Sequence, residues 1–220
     1  TDLAGNSNNA ATQYSITSDR NKPTPTITST QSSPTNASPI NFQVTFGEDV
    51  TGFTASDITL GGTATTGGVA SFTTVSANSY TFTVAPTADG TILVNIAANT
   101  LTDLAGNSNN AATQYSITSV RTAPTVTSVS STTANGSYSS GPIDVTVNFS
   151  KTVTITGAPR IQLETGTTDR YATYANGNGT SALHFTYTIV SGDTTTDLDY
   201  KATNSLELNG GTIKDSAANN

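Results

Sequence analysis

The stretch Ile40-Asn41-Phe42-Gln43-Val44-Thr45-Phe46 alternates apolar and polar side chains along its whole length. Successive side chains of a strand point to opposite faces, so this pattern predicts a β-strand that buries Phe42, Val44 and Phe46. The same alternation recurs between Gly-, Asn- and Pro-containing stretches that predict turns. Short strands at this spacing favour an all-β sandwich. The other predicted strands are Tyr80–Val84, Ile92–Ile96, Thr113–Ile117, Ile143–Phe149, Val153–Ile155 and Leu183–Ile189.

Composition supports the same fold class. Hydrophobic residues make up 34% of the chain and charged residues 10%. The difference is filled by Thr, which favours strands, and by Ser, Asn and Gly, which favour turns. Disorder is the competing interpretation of low hydrophobicity, but disordered chains usually carry high charge and lack periodicity. We therefore expect a folded, all-β protein.

A long internal repeat sets the domain organisation. Residues 1–18 return letter for letter as residues 102–119, an offset of 101 residues. Near-identical units of this size indicate a tandem array, an architecture typical of mechanical or adhesive proteins. We expect residues 1–19 to be the closing strand of a preceding repeat or a donor strand. Residues 20–120 then form a first sandwich, and residues 121–220 form a second that lacks its last strand.

Composition also excludes several classes of function. The chain has no cysteine, so it has neither a disulfide framework nor a thiolate metal site. A net charge of −7 argues against nucleic acid as a partner and suits divalent cations better. No run of eighteen apolar residues is present, so we expect no membrane span.

The segment from Phe46 to Ile58, followed by Asp103-Leu104-Ala105-Gly106-Asn107, resembles the bacterial Ig-like repeats of giant secreted surface adhesins, including biofilm-associated proteins. The segments Ser191–Tyr200 and Leu208–Asp215 resemble a sister repeat of the same proteins. The resemblance implies two tandem Ig-like β-sandwich domains preceded by an orphan closing strand. It also implies export to the bacterial cell surface and, in many such repeats, calcium within or between domains.

Two groups of aspartates are candidate calcium ligands. An Asp-x-Ala-Gly-Asn element begins at Asp2 and Asp103, and it is weakened at Asp215, where Ala218 replaces the glycine. A backbone turn explains this element as well as calcium does, since Asp accepts bonds from nearby N–H groups and Gly supplies a positive φ. The second group is an acidic loop that either binds calcium or is merely solvated. Its members are Asp193, Asp197 and Asp199.

Nothing in the chain predicts catalysis. His184 is the only histidine, and the strand alternation places it opposite the apolar face, with no nucleophile motif to accompany it. We expect no enzymatic activity. Tyr171 and Tyr174, near a Gly-Asn loop, form either a small sugar-binding platform or part of the packing.

The leading hypothesis is a structural one: a stalk segment of an extracellular bacterial adhesin or surface fibre, rigidified by calcium, whose partners are neighbouring repeats. The alternatives are a glycan- or protein-binding module that recognises a surface ligand, and an accessory domain of a secreted hydrolase. Thr12, Tyr14 and Ile16 share one face of the first repeated segment, so this strand could enter the second domain of another chain and give a head-to-tail homopolymer. Arbitrary truncation of a longer repetitive protein is the competing explanation.

Overall fold

The computed structural model describes residues 1–220 and contains β-strands almost throughout. The only helical element is a three-residue 3-10 turn at Ala55–Asp57. The predicted all-β, Ig-like sandwich fold is confirmed. No helix has the length and apolar character needed to cross a bilayer.

The first domain packs two sheets face to face. The strands are β1 (Thr26–Ser29), β2 (Ile40–Thr45), β3 (Val50–Thr51), β4 (Ile58–Gly62), β5 (Thr66–Ser76), β6 (Ser79–Pro86), β7 (Gly90–Ile96), β8 (Thr102–Asp103) and β9 (Tyr115–Ser119). One sheet has the strand order β1-β2-β6-β5, the other has the order β4-β7-β9, and β3 pairs with β8 at one end. Every pair of strands is antiparallel, and the buried positions alternate along the central strands as the sequence predicts.

The core of the first domain lies between its two sheets. Phe42 and Phe82 stack with ring centroids 5.1 Å apart, and Tyr115 from the opposite sheet meets Phe42 edge-on at 5.9 Å. Ile117 of the closing strand β9 is also buried in this core. The closing strand therefore seals the sandwich by packing across both layers.

The second domain repeats this arrangement with two differences. Its strands are β10 (Val126–Ser130), β11 (Pro142–Thr156), β12 (Arg160–Glu164), β13 (Arg170–Asn176), β14 (Thr180–Thr188), β15 (Asp199–Tyr200), β16 (Leu206–Glu207) and β17 (Thr212–Lys214). The very short strands β15 and β16 occupy the place that the seven-residue β7 has in the first domain. In addition β12, the counterpart of β4, pairs with β13, so the order β10-β11-β14-β13-β12 forms one continuous sheet, and the C-terminal part of the long β11 pairs with β17.

The two domains have separate hydrophobic cores. The first core contains sixteen buried residues between Ile27 and Ile117, and the second contains thirteen between Ile143 and Ile213. No residue belongs to both clusters. The domains are thus joined through their polar ends and the linker rather than through a shared core.

The first repeated segment forms no strand within the chain. Residues 1–22 are all exposed, and their only regular feature is a turn at Leu3-Ala4. Tyr14 and Ile16 are 86% and 76% exposed. The cause is physical: a strand without a neighbour has no backbone partners and no face to pack against.

The copy of this segment in the first domain, β9, begins two residues later than the sequence predicts. The strand runs from Tyr115 to Ser119 rather than from Thr113 to Ile117. The backbone N–H of Ala112 donates to the carbonyl oxygen of Ile96 at 3.0 Å, which holds the chain at the end of β7 before the ladder starts. The predicted inward face, with Tyr115 and Ile117, is unchanged.

Candidate functional site at the domain junctions

The Asp-x-Ala-Gly-Asn element forms the same hydrogen-bonded turn in the first domain and in the exposed N-terminal segment. The backbone N–H and side-chain amide of Asn107 donate to the two carboxylate oxygens of Asp103, each at 2.8 Å. Asn6 makes the same two bonds to Asp2 at 2.9 Å. The turn is therefore encoded locally, because it forms around Asp2 although no domain surrounds it.

The third copy of the turn keeps this geometry without its glycine. Asn219 donates to both oxygens of Asp215 at 3.0 and 2.9 Å. Ala218 takes the position of Gly106 and adopts φ 68°, close to the 89° of that glycine. The turn therefore forms without a glycine, but it holds the backbone of Ala218 in the left-handed region, which is unfavourable for a residue with a side chain.

These hydrogen bonds depress two aspartate pKa values. Burial opposes ionisation of Asp103, but the bonds from Asn107 outweigh it, and the pKa of Asp103 lies below its usual range. The pKa of Asp2 is also lowered, chiefly by the side-chain and backbone bonds from Asn6. Both carboxylates are therefore charged at neutral pH, with most of their hydrogen bonds supplied by their own turn.

The asparagine of each turn also holds the strand that enters its domain. The side-chain amide of Asn107 donates to the carbonyl oxygen of Asp19 at 3.2 Å, and that of Asn219 donates to the carbonyl oxygen of Val120 at 2.8 Å. Asp19 and Val120 are 101 residues apart and occupy the same place in the repeat. The turn thus acts as a clamp on the incoming chain, a role that no motif in the sequence indicates.

The connection between the two domains, here called the inter-domain junction, comprises linker residues 120–125 and the side chains that contact them. Asp89 of the first domain accepts the backbone N–H groups of Arg121 and Thr122 at 2.6 and 3.0 Å. These two bonds are the main reason that the pKa of Asp89 is lowered. The guanidinium of Arg121 also donates to the carbonyl oxygen of Asn36 at 3.3 Å. The linker is consequently fixed to the first domain at two points.

Lys151 of the second domain completes the inter-domain junction. Its ammonium group donates to the carbonyl oxygen of Thr122 at 2.5 Å and lies 3.5 Å from a carboxylate oxygen of Asp89. The same group lies 3.8 Å from Asp215, whose carboxylate is almost fully buried. One cation therefore contacts the first domain, the linker and the second domain.

The corresponding position at the start of the first domain, here called the entry junction, carries the opposite charge. Asp19, Glu48 and Asp103 place carboxylate oxygens within 4.8 Å of one another. In the repeat frame Glu48 corresponds to Lys151, Asp19 to Val120 and Asp103 to Asp215. Desolvation and the charges of Asp19 and Asp103 raise the pKa of Glu48. The entry junction therefore gathers three acids at the positions where the inter-domain junction has Val120, Lys151 and Asp215.

The acidic loop of the second domain is organised by an ion pair. Asp193 accepts a bond from the guanidinium of Arg170 at 3.0 Å and another from the hydroxyl of Tyr187 at 2.6 Å. The bond from Tyr187 is the largest cause of the lowered pKa of Asp193, and burial together with that bond raises the pKa of Tyr187 to about 12. Asp197 and Asp199 do not join Asp193 in a group of three carboxylates close enough to share an ion.

Tyr171 and Tyr174, for which a sugar platform and packing were the alternatives, are both engaged in packing contacts. The guanidinium of Arg160 lies 3.8 Å from the ring centroid of Tyr171, and the hydroxyl of Tyr171 donates to Glu207 at 3.0 Å. Tyr174 meets Phe185 edge-on, and its hydroxyl accepts the N–H of Asn178. His184 lies opposite the apolar face as expected, where its Nδ1 is 3.0 Å from the hydroxyl of Thr146.

Comparison with known proteins bears on the first domain. No curated protein and no solved structure matches the chain. Residues 19–119, the range that includes both the entry junction and the closing strand β9, match the family model of the bacterial Ig-like domain, which supports the predicted resemblance to bacterial Ig-like repeats.

Proposed function

We propose that the chain is a structural stalk segment of an extracellular bacterial adhesin or surface fibre. In this role the sandwiches stack end to end, the junctions between them resist bending, calcium stiffens the junctions that need it, and strand donation joins chains head to tail. The match to the bacterial Ig-like domain supports a structural or surface role. A stalk needs no catalytic group, which agrees with the packing contacts of Tyr171 and Tyr174 and with the hydrogen bond between His184 and Thr146.

The observation that carries this proposal is the ammonium group of Lys151. Domains within one chain move relative to each other unless their interface restrains them. Here the restraint is polar: Lys151 links Asp89, Thr122 and Asp215, while Asn219 clamps Val120. Because Lys151 is only 28% exposed, solvent screens these contacts less than it screens a surface ion pair.

The proposal predicts that the two domains reorient as one body. We expect residual dipolar couplings of both domains to fit a single alignment tensor, and Lys151→Met to separate the two tensors by freeing the linker. Lys214→Met is the matched control, since Lys214 lies on β17 outside the junction, and it should leave the single tensor intact. Independent tensors in the unsubstituted protein would contradict a rigid stalk.

The second part of the proposal is that calcium binds at the entry junction, where the side chains present are suitable ligands for it. Calcium binds six to eight oxygen atoms, and carboxylates are its preferred protein ligands. Asp19, Glu48 and Asp103 offer three carboxylates at short mutual distance. A cation there would neutralise their repulsion, as the ammonium group of Lys151 does at the inter-domain junction. Asp193, by contrast, already has Arg170 as its cation.

We therefore expect calcium to raise the melting temperature of the first domain, because a ligand that binds only the folded state stabilises it. Asp19→Asn combined with Glu48→Gln should abolish this rise. In the presence of a chelator the double substitution should not lower the melting temperature, because it removes two negative charges that repel each other. Glu164→Gln, an exposed glutamate of the second domain, serves as the control. Calorimetry with and without chelator measures the effect. A melting temperature that calcium leaves unmoved would refute the site.

A further inference from the structure

The segments by which the chain enters and leaves the first domain lie side by side. β1 is the edge strand of one sheet, and β9 is the edge strand of the other. The chain enters the domain at residue 19, ahead of β1, and leaves it at residue 120, directly after β9. Tension along the chain would therefore enter the domain through these two segments.

Near the entry junction, the entering segment is bonded to the residues that precede β9. The carbonyl oxygen of Asp19 accepts the side-chain amide of Asn107 at 3.2 Å. The backbone N–H of Asn110 donates to the carbonyl oxygen of Pro23 at 2.9 Å. The side-chain amide of Asn110 donates to the hydroxyl of Thr24, also at 2.9 Å. Three hydrogen bonds thus join the two segments at this end.

Near the inter-domain junction, the loop between β1 and β2 is bonded to β9 itself. The N–H of Thr35 donates to the carbonyl oxygen of Thr118 at 2.9 Å, and the carbonyl oxygen of Thr35 accepts the N–H of Val120 at 2.8 Å. The hydroxyl oxygen of Ser33 accepts the N–H of Thr118 at 3.0 Å. Thr35 and Ser119 form a parallel bridge, and both are buried. Water therefore has little access to the bonds at this end.

These six hydrogen bonds, here called the terminal latch, join segments that run in the same direction. The bonded positions rise together, from 19 to 35 on one side and from 107 to 120 on the other. Tension would pull the entering segment from its first residue and β9 from its last residue, so the two segments would slide past each other. Bonds that lie across the sliding direction are loaded together, whereas bonds that are peeled from one end break one after another.

We propose that the terminal latch makes the first domain resist extension along the chain. The latch connects the two loaded segments directly, so its bonds must break before the hydrophobic core behind them opens. Forced unfolding is governed by the barrier to unfolding rather than by the equilibrium stability, and the latch acts on that barrier. This assignment deepens the proposed function and rests on it, because a stalk is the setting in which the chain is under tension.

The first test compares two directions of pulling in a single-molecule force experiment on the 220-residue protein. The chain has no cysteine, so handles attach only at introduced ones. Handles at Ser18→Cys and Ala123→Cys pull along the chain and shear the latch. Handles at Asn36→Cys and Ala123→Cys pull from one end, since Asn36 lies beside Arg121, and they peel β9 from the loop. We expect a higher unfolding force for the first pair, and an equal or lower force would overturn the proposal.

The second test removes one bond of the latch. Ser33→Ala deletes the acceptor for the N–H of Thr118. If that bond breaks before the barrier, unfolding at constant force along the chain should become about fivefold faster, which corresponds to the loss of one net hydrogen bond. The measurement is the distribution of unfolding times with the handles at positions 18 and 123.

Ser38→Ala is the matched control for Ser33→Ala. Both residues are exposed serines of the same loop, and each precedes a proline. The hydroxyl of Ser38 donates to the carbonyl oxygen of Pro86 at 3.2 Å, so this bond holds the loop to β6 and joins neither loaded segment to the other. Ser38→Ala should leave the unfolding rate under tension unchanged. If Ser33→Ala unfolds no faster than Ser38→Ala, the terminal latch does not set the barrier and the proposal is wrong.

Failure of this proposal can be told apart from failure of the rigid stalk. The terminal latch lies within the first domain, whereas the Lys151→Met experiment measures the inter-domain junction. Equal forces in the two pulling directions together with a single alignment tensor would refute the latch and keep the rigid stalk. Independent tensors together with a higher force along the chain would refute the rigid stalk and keep the latch.

Discussion

Asn109→Ala is expected to lower the free energy of unfolding of the first domain by about 3–5 kcal/mol, because it leaves one buried and three partly buried backbone groups without the side-chain partner that they share. Asn109 is 1% exposed. Its side-chain oxygen Oδ1 accepts the backbone N–H groups of Thr100 and Leu101 at 2.9 and 3.1 Å, and its side-chain amide donates to the backbone carbonyl oxygens of Ala97 and Asn110 at 2.8 and 2.7 Å.

The repeat supplies an unusually well matched control for this prediction. Asn8 and Asn109 are preceded by the same seven residues and followed by the same ten within the duplicated segment, yet Asn8 is exposed. Asn8→Ala should therefore leave stability unchanged. Urea denaturation followed by NMR signals of each domain measures both variants. Equal effects of the two substitutions would show that the buried hydrogen bonds of Asn109 contribute nothing.

Arg170→Leu is expected to destabilise the second domain at neutral pH, because it removes the cation from an aspartate that is almost fully buried. The carboxylate of Asp193 is 6% exposed, and only Tyr187 and a backbone N–H would remain to bond it. Breaking a buried ion pair from one side costs several times more than breaking a surface pair. Calorimetry at pH 7 measures the loss.

The pH dependence of this effect has a defined sign. The folded-state pKa of Asp193 lies below its unfolded value, near 3.9 in the reference state. Its ionised form therefore contributes stability above about pH 4, and the contribution disappears as the pH falls through the folded-state pKa. The difference in stability between the Arg170→Leu variant and the unsubstituted protein should therefore become smaller as the pH falls below about 4.

Arg160→Leu is the matched control, because it also removes an arginine charge from a strand of the same sheet. Arg160 is exposed to the same extent as Arg170, but its partner Glu207 is 35% exposed. We expect a smaller loss of stability from Arg160→Leu, including the lost contact with the ring of Tyr171. A loss as large as that of Arg170→Leu would contradict the assigned role of burial.

The alternation of Ile40–Phe46 was enough to predict both a strand and its buried face, because the two-residue period of a strand is a local property. The turn around Asp103 was equally predictable, since it forms around Asp2 without any domain. The start of β9 was not predictable to the residue. It depends on the contact of Ala112 with Ile96, which lies in another strand.

The residues of the two junctions were also only partly predictable from the sequence. The sequence pointed to Asp103 and Asp215 as members of a repeated element, but left a turn and a calcium site open for both. The roles of Asp89 and Lys151 went unnoticed, because they lie 62 positions apart and meet only where the two domains abut. The exchange of Glu48 for Lys151 was visible in the repeat frame, yet its meaning depends on the acids that surround each position.

Periodicity and turn chemistry act over a few residues, so the all-β class, the 101-residue frame and the local turns could be predicted from the sequence. The charges that meet at each junction, and the pairing of Asp193 with Arg170, became visible only in the folded chain. Those features depend on contacts between segments far apart in the chain, and packing alone brings such segments together.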